Sequence, residues 1–127
     1  MITSIFPLKD TTIYDSLTAR TYNTGIDQIL EIAKVEETDL SYNARALLQF
    51  DLSTISQSIS NGTISGSYEF FLELYTAETK EASENYSINI YPVSESWDSG
   101  IGKLIHNPKT TEGASWAYRT DLLEWTT

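Results

Sequence analysis

The chain of 127 residues predicts a single all-β domain, 1–127, built as a sandwich of two packed antiparallel sheets. Three observations carry this. In Ala44 to Leu52, Ala46, Leu48, Phe50 and Leu52 fall on one side of an extended chain, and Arg45, Leu47, Gln49 and Asp51 on the other. That period of two marks a strand with one face on a core. Tyr68 to Tyr75 repeats the pattern, with Tyr68, Phe70, Leu72 and Leu74 on one side. Eight Tyr and three Trp suit pleated, half-buried surfaces, and polar turns separate the short apolar runs.

Taken in order, Ile2 to Leu8 alternates weakly until Pro7, which suits an edge strand or a strand end because it has no N–H to donate. Asp10 to Tyr14 is a short β-prone run, and Asp15 to Gly25 is polar and turn-rich, closing on Asn23-Thr24-Gly25. In Ile26 to Ala33 helix and strand compete. Ile26, Ile29 and Leu30 have helical spacing, but the run is short for a helix, which favours a strand with Leu30 and Ile32 inward. Lys34 to Asn43 is charged and reads as an exposed loop before the central strand at Ala44 to Leu52. Leu52 to Ile55 reads as a turn or one helical turn with Asp51 or Ser53 as cap, and Asn61-Gly62 as a further turn.

Strands are then expected at Tyr68 to Tyr75 and Tyr86 to Val93, the latter interrupted by Pro92, with a polar loop at Thr76 to Asn85 between them. From Ser94 to Asp121 the pattern fades, broken by Gly100, Gly102, Pro108 and Gly113. A long irregular segment in a small domain needs ties, and Trp97 and Trp116 are the natural ones. Leu122 to Trp125 reads as the start of another strand.

Composition narrows the function. Eighteen Asp and Glu against eight Lys and Arg leave a net charge of -10, which argues against nucleic-acid and anionic-membrane partners. No window approaches the ~20 apolar residues of a membrane span. Met1-Ile2-Thr3-Ser4 has neither a basic nor an apolar stretch, so no signal peptide is read. Without Cys there are no disulfides or thiolate metal sites.

Catalytic sets are equally sparse. The one histidine, His106, lies in a broken loop, and no Gly-x-Ser-x-Gly elbow offers a nucleophile. Glu69 and Glu73 flank Phe71 on one strand face and read as a solvated surface rather than a glycosidase pair. Asp98-Ser99-Gly100 is a turn and not a calcium loop. No metal, cofactor or catalytic residue is expected, and the chain reads as a non-enzyme. If a ligand is held, sugar is the fitting class, since a tyrosine ring presents an apolar face beside a polar tip. Tyr14, Tyr22, Tyr42, Tyr91 and Tyr118 are the candidates by type, each with core or sheet packing as the alternative role. Arg45, Leu48, Phe50, Leu52, Trp97, Trp116 and Arg119 are expected to serve structure.

Several segments together resemble the DNRLRE-type β-sandwich domain, a group similar to carbohydrate-binding modules. Asp10 to Tyr14, then Tyr22-Asn23-Thr24-Gly25 and Leu30-Glu31-Ile32, look like that domain's opening strand, loop and second strand. Arg45-Ala46-Leu47-Leu48-Gln49-Phe50-Asp51-Leu52-Ser53 matches its Arg-x-Leu-Leu-x-Phe-Asp-Leu-Ser hallmark. Tyr91 to Trp97 and Ser115-Trp116 resemble the two ends of its long loop. The resemblance implies a jelly-roll-like sandwich. The family usually adds strands after the second tryptophan, so either the sandwich is truncated here or a neighbouring chain completes it, and an open edge would invite strand addition.

Ser4 to Pro7 and Glu112 to Arg119 are also similar to small virion structural proteins of tailed marine bacteriophages. That likeness implies a capsid-decorating, tail or fibre-associated protein, made in the host cytoplasm and carried on the released particle. Its partners would be other virion proteins in a multi-copy assembly, with a host surface glycan as a further one. A carbohydrate-binding module recognising a polysaccharide is the alternative.

Overall fold

In the computed structural model, which describes residues 2–77 and 85–126, β-branched residues build the first strand, β1 (Pro7–Asp15). Thr11, Thr12, Ile13 and Tyr14 are all buried, so both faces of this strand are covered at its middle. The second strand, β2 (Ala33–Glu36), turns through residues 37–40 into the third, β3 (Ser41–Phe50), and Glu37 N–H closes the turn on Leu40 O at 2.8 Å. The strands form one antiparallel sheet in the order β1-β3-β2. Tyr14 pairs with Ala44, Ile13 with Arg45 and Ala33 with Ala44, and the register shifts once, between Pro7 and Lys9.

The central strand of the sheet is the one the alternation marks, but its packing is different. Leu47 is 8% exposed and Ala44 is buried, whereas Leu52 lies beyond the strand and is 50% exposed. Leu48 and Phe50 are half-buried. Positions 44 and 47 are an odd number apart, so they lie on opposite faces. Each face has its own cluster. Tyr14, Ala19 and Ala44 pack with Tyr22, Ala33, Tyr42 and Leu104 on the first. Ile13, Leu47, Trp97 and Ala114 pack with Trp116 and Trp125 on the second, which thus gathers all three tryptophans. Lys9 and Arg45 lie over two of those rings, 4.5 Å from Trp97 and 4.7 Å from Trp116.

The described residues form a mostly β structure with one sheet and a short helix, and the second sheet of a jelly-roll sandwich is not among them. Loops cover the faces instead. Gly100, Gly102, Pro108 and Gly113 keep residues 94–121 out of regular structure, and loop partners satisfy the backbone there. Asp98 N–H donates to Arg119 O at 3.0 Å, Ala114 N–H to Asp98 O at 2.7 Å and Ser115 N–H to Tyr118 O at 2.8 Å. The expected final strand is reduced to a single bridge between Tyr118 and Glu124.

Two more expectations are corrected in this region. Residues 26–32 are not a strand, because their backbone is held elsewhere: Ile26 N–H on Gly102 O and Glu31 N–H on Thr12 Oγ1, both at 3.0 Å. The expected loop after them contains most of β2 and the start of β3. Lys34 and Glu36 point outward from β2 as an ion pair of 2.7 Å, and charge of this kind is common on edge strands. The other edge of the sheet, along β1, meets a side chain. Thr24 Oγ1 accepts from Thr12 N–H at 3.2 Å and donates to Thr12 O at 2.7 Å.

These strands belong to one of two compact units, Met1–Phe50 with Val93–Thr127. The other is Asp51–Pro92. It opens with α1 (Ser53–Ser60), a two-turn helix where the sequence predicts a turn or one helical turn. Asp51 Oδ1 accepts the Ser53 N–H at 2.9 Å just before it, and the Ser53 hydroxyl, then that N–H, hold the Asp51 carboxyl below its usual range. Leu52 occupies the cap position and provides no side-chain bond. The runs expected as strands at 68–75 and 86–93 have no ladder among the described residues, and Phe70, Phe71 and Tyr86 are exposed. Alternation decides which side chains share a side, as the Tyr68 and Phe70 rings do at 5.8 Å, but a strand also needs a paired neighbour. Most of the polar loop expected at Thr76 to Asn85 lies outside the described residues. No helix among them is long and apolar enough to cross a membrane.

Candidate functional site

The long loops beside the sheet, including those next to the first face, are held by one buried asparagine. Asn23 is fully buried, and its amide makes four hydrogen bonds. Nδ2 donates to Ser99 O at 2.7 Å and to Ala114 O at 2.8 Å. Oδ1 accepts from Gly25 N–H at 3.1 Å and from Gly102 N–H at 2.8 Å. Both donors and both acceptor sites of the side chain are therefore used. The backbone joins in, with Asn23 N–H donating to Thr110 O at 2.8 Å. This knot fixes the loops that carry Asp27, Glu31 and Leu104 beside the sheet.

A groove of about 290 Å³ opens over that face, lined by residues that include Tyr14, Glu31, Leu40, Tyr42 and Leu104. Tyr14 on β1 pairs with Ala44, so Tyr42, two residues away on β3, lies on the same face. Their rings are 6.3 Å apart and tilted by 49°. Glu31 reaches over from the preceding loop and receives both phenols, Tyr14 OH on Oε2 at 3.1 Å and Tyr42 OH on Oε1 at 3.0 Å. Burial, then the adjacent Glu31 carboxylate, raises the Tyr14 hydroxyl far above its ordinary value. The same two causes raise Tyr42. Both phenols thus remain hydrogen-bond donors throughout the neutral range. Each carboxylate oxygen retains a second lone pair after taking one phenol.

A second groove, of about 320 Å³, is lined by Asp27, Gln28, Ile29, Lys103 and Ile105. The two share a wall, because Asp27 Oδ2 accepts the Leu104 N–H at 3.0 Å.

Of the tyrosines named from the sequence, Tyr14 and Tyr42 come together in the first groove. Tyr22 is half-buried in the same cluster, with Lys109 Nζ 5.8 Å from its ring. Tyr118 is half-buried at its bridge to Glu124, and Tyr91 is exposed in the other unit. Trp97 is buried, and Trp116 is half-buried under Arg45. Arg119 Nη1 donates to Ser96 O at 3.1 Å. His106 is a loop tie, its Nδ1 accepting Lys103 N–H at 3.3 Å. Among the described residues no three His, Cys, Asp or Glu side chains gather as a metal site would need.

Sequence reasoning missed Glu31 and Asn23. Glu31 stands between Leu30 and Ile32, where alternation makes it an outward strand residue. Asn23 precedes a glycine by two residues, which signals a turn, but its partners at Ser99, Gly102 and Ala114 are 76 to 91 residues away.

Comparison with known proteins gives one family match. The model of carbohydrate-binding module family 96 fits residues 1–103, a span that includes all three strands and both grooves' lining residues up to Lys103. No curated protein and no solved structure matches the chain.

Proposed function

The chain belongs to carbohydrate-binding module family 96, and we propose that it binds a polysaccharide at the Tyr14, Glu31 and Tyr42 groove. The observation that carries the assignment is the single carboxylate, clamped by two tyrosine hydroxyls, that lines an open groove. A sugar presents apolar C–H faces and a ring of hydroxyls. The half-buried Tyr42 ring, backed by Tyr14, offers the first an apolar wall. The free lone pairs of Glu31 accept from the second, and hydrogen bonds to a charged group are worth about 1.5–3 kcal/mol each. Because both phenols already orient the carboxylate, little freedom is lost on binding.

The work assigned to this site is holding, not bond cleavage. Catalysis would belong to another domain if the module forms part of a longer protein. The setting suggested by the likeness to phage virion proteins is compatible with this: a glycan-binding domain on a released particle would keep the particle at a glycan-bearing surface. Mass spectrometry of purified particles tests that setting separately.

Affinity electrophoresis through gels containing xylan, mixed-linkage β-glucan, galactomannan, pectin or alginate tests the binding itself. The wild type should be retarded by at least one of them, and Glu31→Ala and Tyr42→Ala should each restore free migration. Retardation by none of these polymers, or retardation that survives both substitutions, would remove the assignment.

A further inference from the structure

Resting on that reading, we propose that the binding surface is a two-part cleft that takes an internal stretch of a glycan chain, with the Asp27, Ile29, Lys103 and Ile105 groove as its second subsite. The grooves of about 290 and 320 Å³ each lie near the lower end of ligand sites, which run from about 300 to 1,000 Å³. Each alone has room for a small unit.

They adjoin across a fixed wall. Leu104 lines the first, its neighbours Lys103 and Ile105 line the second, and Asp27 in the second holds the Leu104 N–H. The facing segment does the same, with Glu31 in one groove and Asp27 to Ile29 in the other.

The chemistry of the second groove suits the same ligand class by different means. Ile29 is 57% exposed and Ile105 is 83% exposed, so two aliphatic side chains stand in water beside the polar tips of Gln28 and Lys103. Such a surface matches a sugar with one C–H-rich face and hydroxyls at its edge. Both grooves are open to solvent and not enclosed. A surface open to solvent does not enclose its ligand and so does not require a chain terminus. Two adjoining subsites on one tethered ligand reinforce each other, because binding at the first raises the effective concentration at the second.

The test is a length series, from one to six sugar units, prepared from a polymer that retards the wild type and titrated by calorimetry against the full chain. Affinity should rise by at least about tenfold between the monosaccharide and the longest oligomers, as expected for linked subsites. The double variant K103A/I105S should flatten that rise. Both positions are on loops, and circular dichroism with a thermal melt confirms that the variant is folded.

Equal affinity for one and six units would overturn the proposal, as would an unflattened rise in the folded double variant. If either result comes with binding that still requires Glu31 and Tyr42, the first groove stands and only the extension falls. If the wild type is retarded by no polymer in the panel, both readings fall together.

Discussion

Gly102 donates its backbone N–H to Asn23 Oδ1 at 2.8 Å, in packing so close that a side chain on Gly102 would run into the Asn23 main chain. The other end of the same amide holds Ser99 and Ala114, so one side chain ties its own loop to two stretches of the 94–121 segment. Asn23→Asp keeps the size and removes both donors. It also directs a carboxylate at the carbonyl oxygens of Ser99 and Ala114. A buried carboxylate with only the Gly25 and Gly102 N–H groups to balance it, and two carbonyl oxygens against its other oxygen, should cost about 3–5 kcal/mol. Urea unfolding followed by tryptophan fluorescence checks this, and an unchanged midpoint would show that the knot does not hold the loops.

Gly113 adopts a φ of +103°, and an added Cβ would lie 2.7 Å from Asn23 Nδ2. Gly113→Ala should therefore lose stability through both strain and collision, by about 2 kcal/mol or more. Gly62 also has a positive φ, +78°, but nothing lies within 4 Å of its would-be Cβ. Gly62→Ala should cost only about 1 kcal/mol, from the backbone alone. Thermal melts of the two variants separate the effects.

The two-faced packing of β3 makes adjacent-looking leucines unequal. Leu47→Ala opens space among Ile13, Trp97 and Ala114 and should cost about 2–5 kcal/mol. Leu52→Ala, at a half-exposed position past the end of β3, should change stability by about 0.5 kcal/mol or less. The order would reverse if the face containing Leu52 were the core face, and chemical denaturation of the two variants decides.

Tyr14 and Tyr42 give the stability a high-pH dependence whose direction follows from their raised hydroxyls. The folded state keeps protons that the unfolded chain releases near the ordinary value of 10.0. This contribution is fully present below that pH and is lost as the pH rises through the folded values. Melting temperatures measured from pH 8 to pH 11.5 should fall above pH 10, and Tyr14→Phe should reduce the slope. An equal slope in the variant would contradict this.

Some of this could be read from the residues alone. The alternation at 44–50 locates the central strand, because a strand between two others must present its side chains in a strict period of two. Its burial could not be read, since the rule assumes one wet face and β3 has packing on both. β2 was hidden by Lys34 and Glu36, whose charge suits an edge but resembles a loop. Glu31 and Asn23 acquire their roles only from partners in distant loops and neighbouring strands, and local pattern has no access to those. The tyrosines were named by type. Which of them meet is set by the pairing of Tyr14 with Ala44.

The hydroxyl of Thr24 occupies both hydrogen-bonding groups of Thr12 on the outer margin of β1, much as a further strand would. The opposite flank of the sheet, at β2, is only four residues long and is guarded by an ion pair. Concentrated solutions should therefore resist the edge-to-edge strand pairing that seeds fibrils. Thr24→Val, which keeps the shape and removes the hydroxyl, should shift light scattering toward dimers and larger species. A small side chain in a turn thus helps determine how crowded the protein can become before it self-assembles.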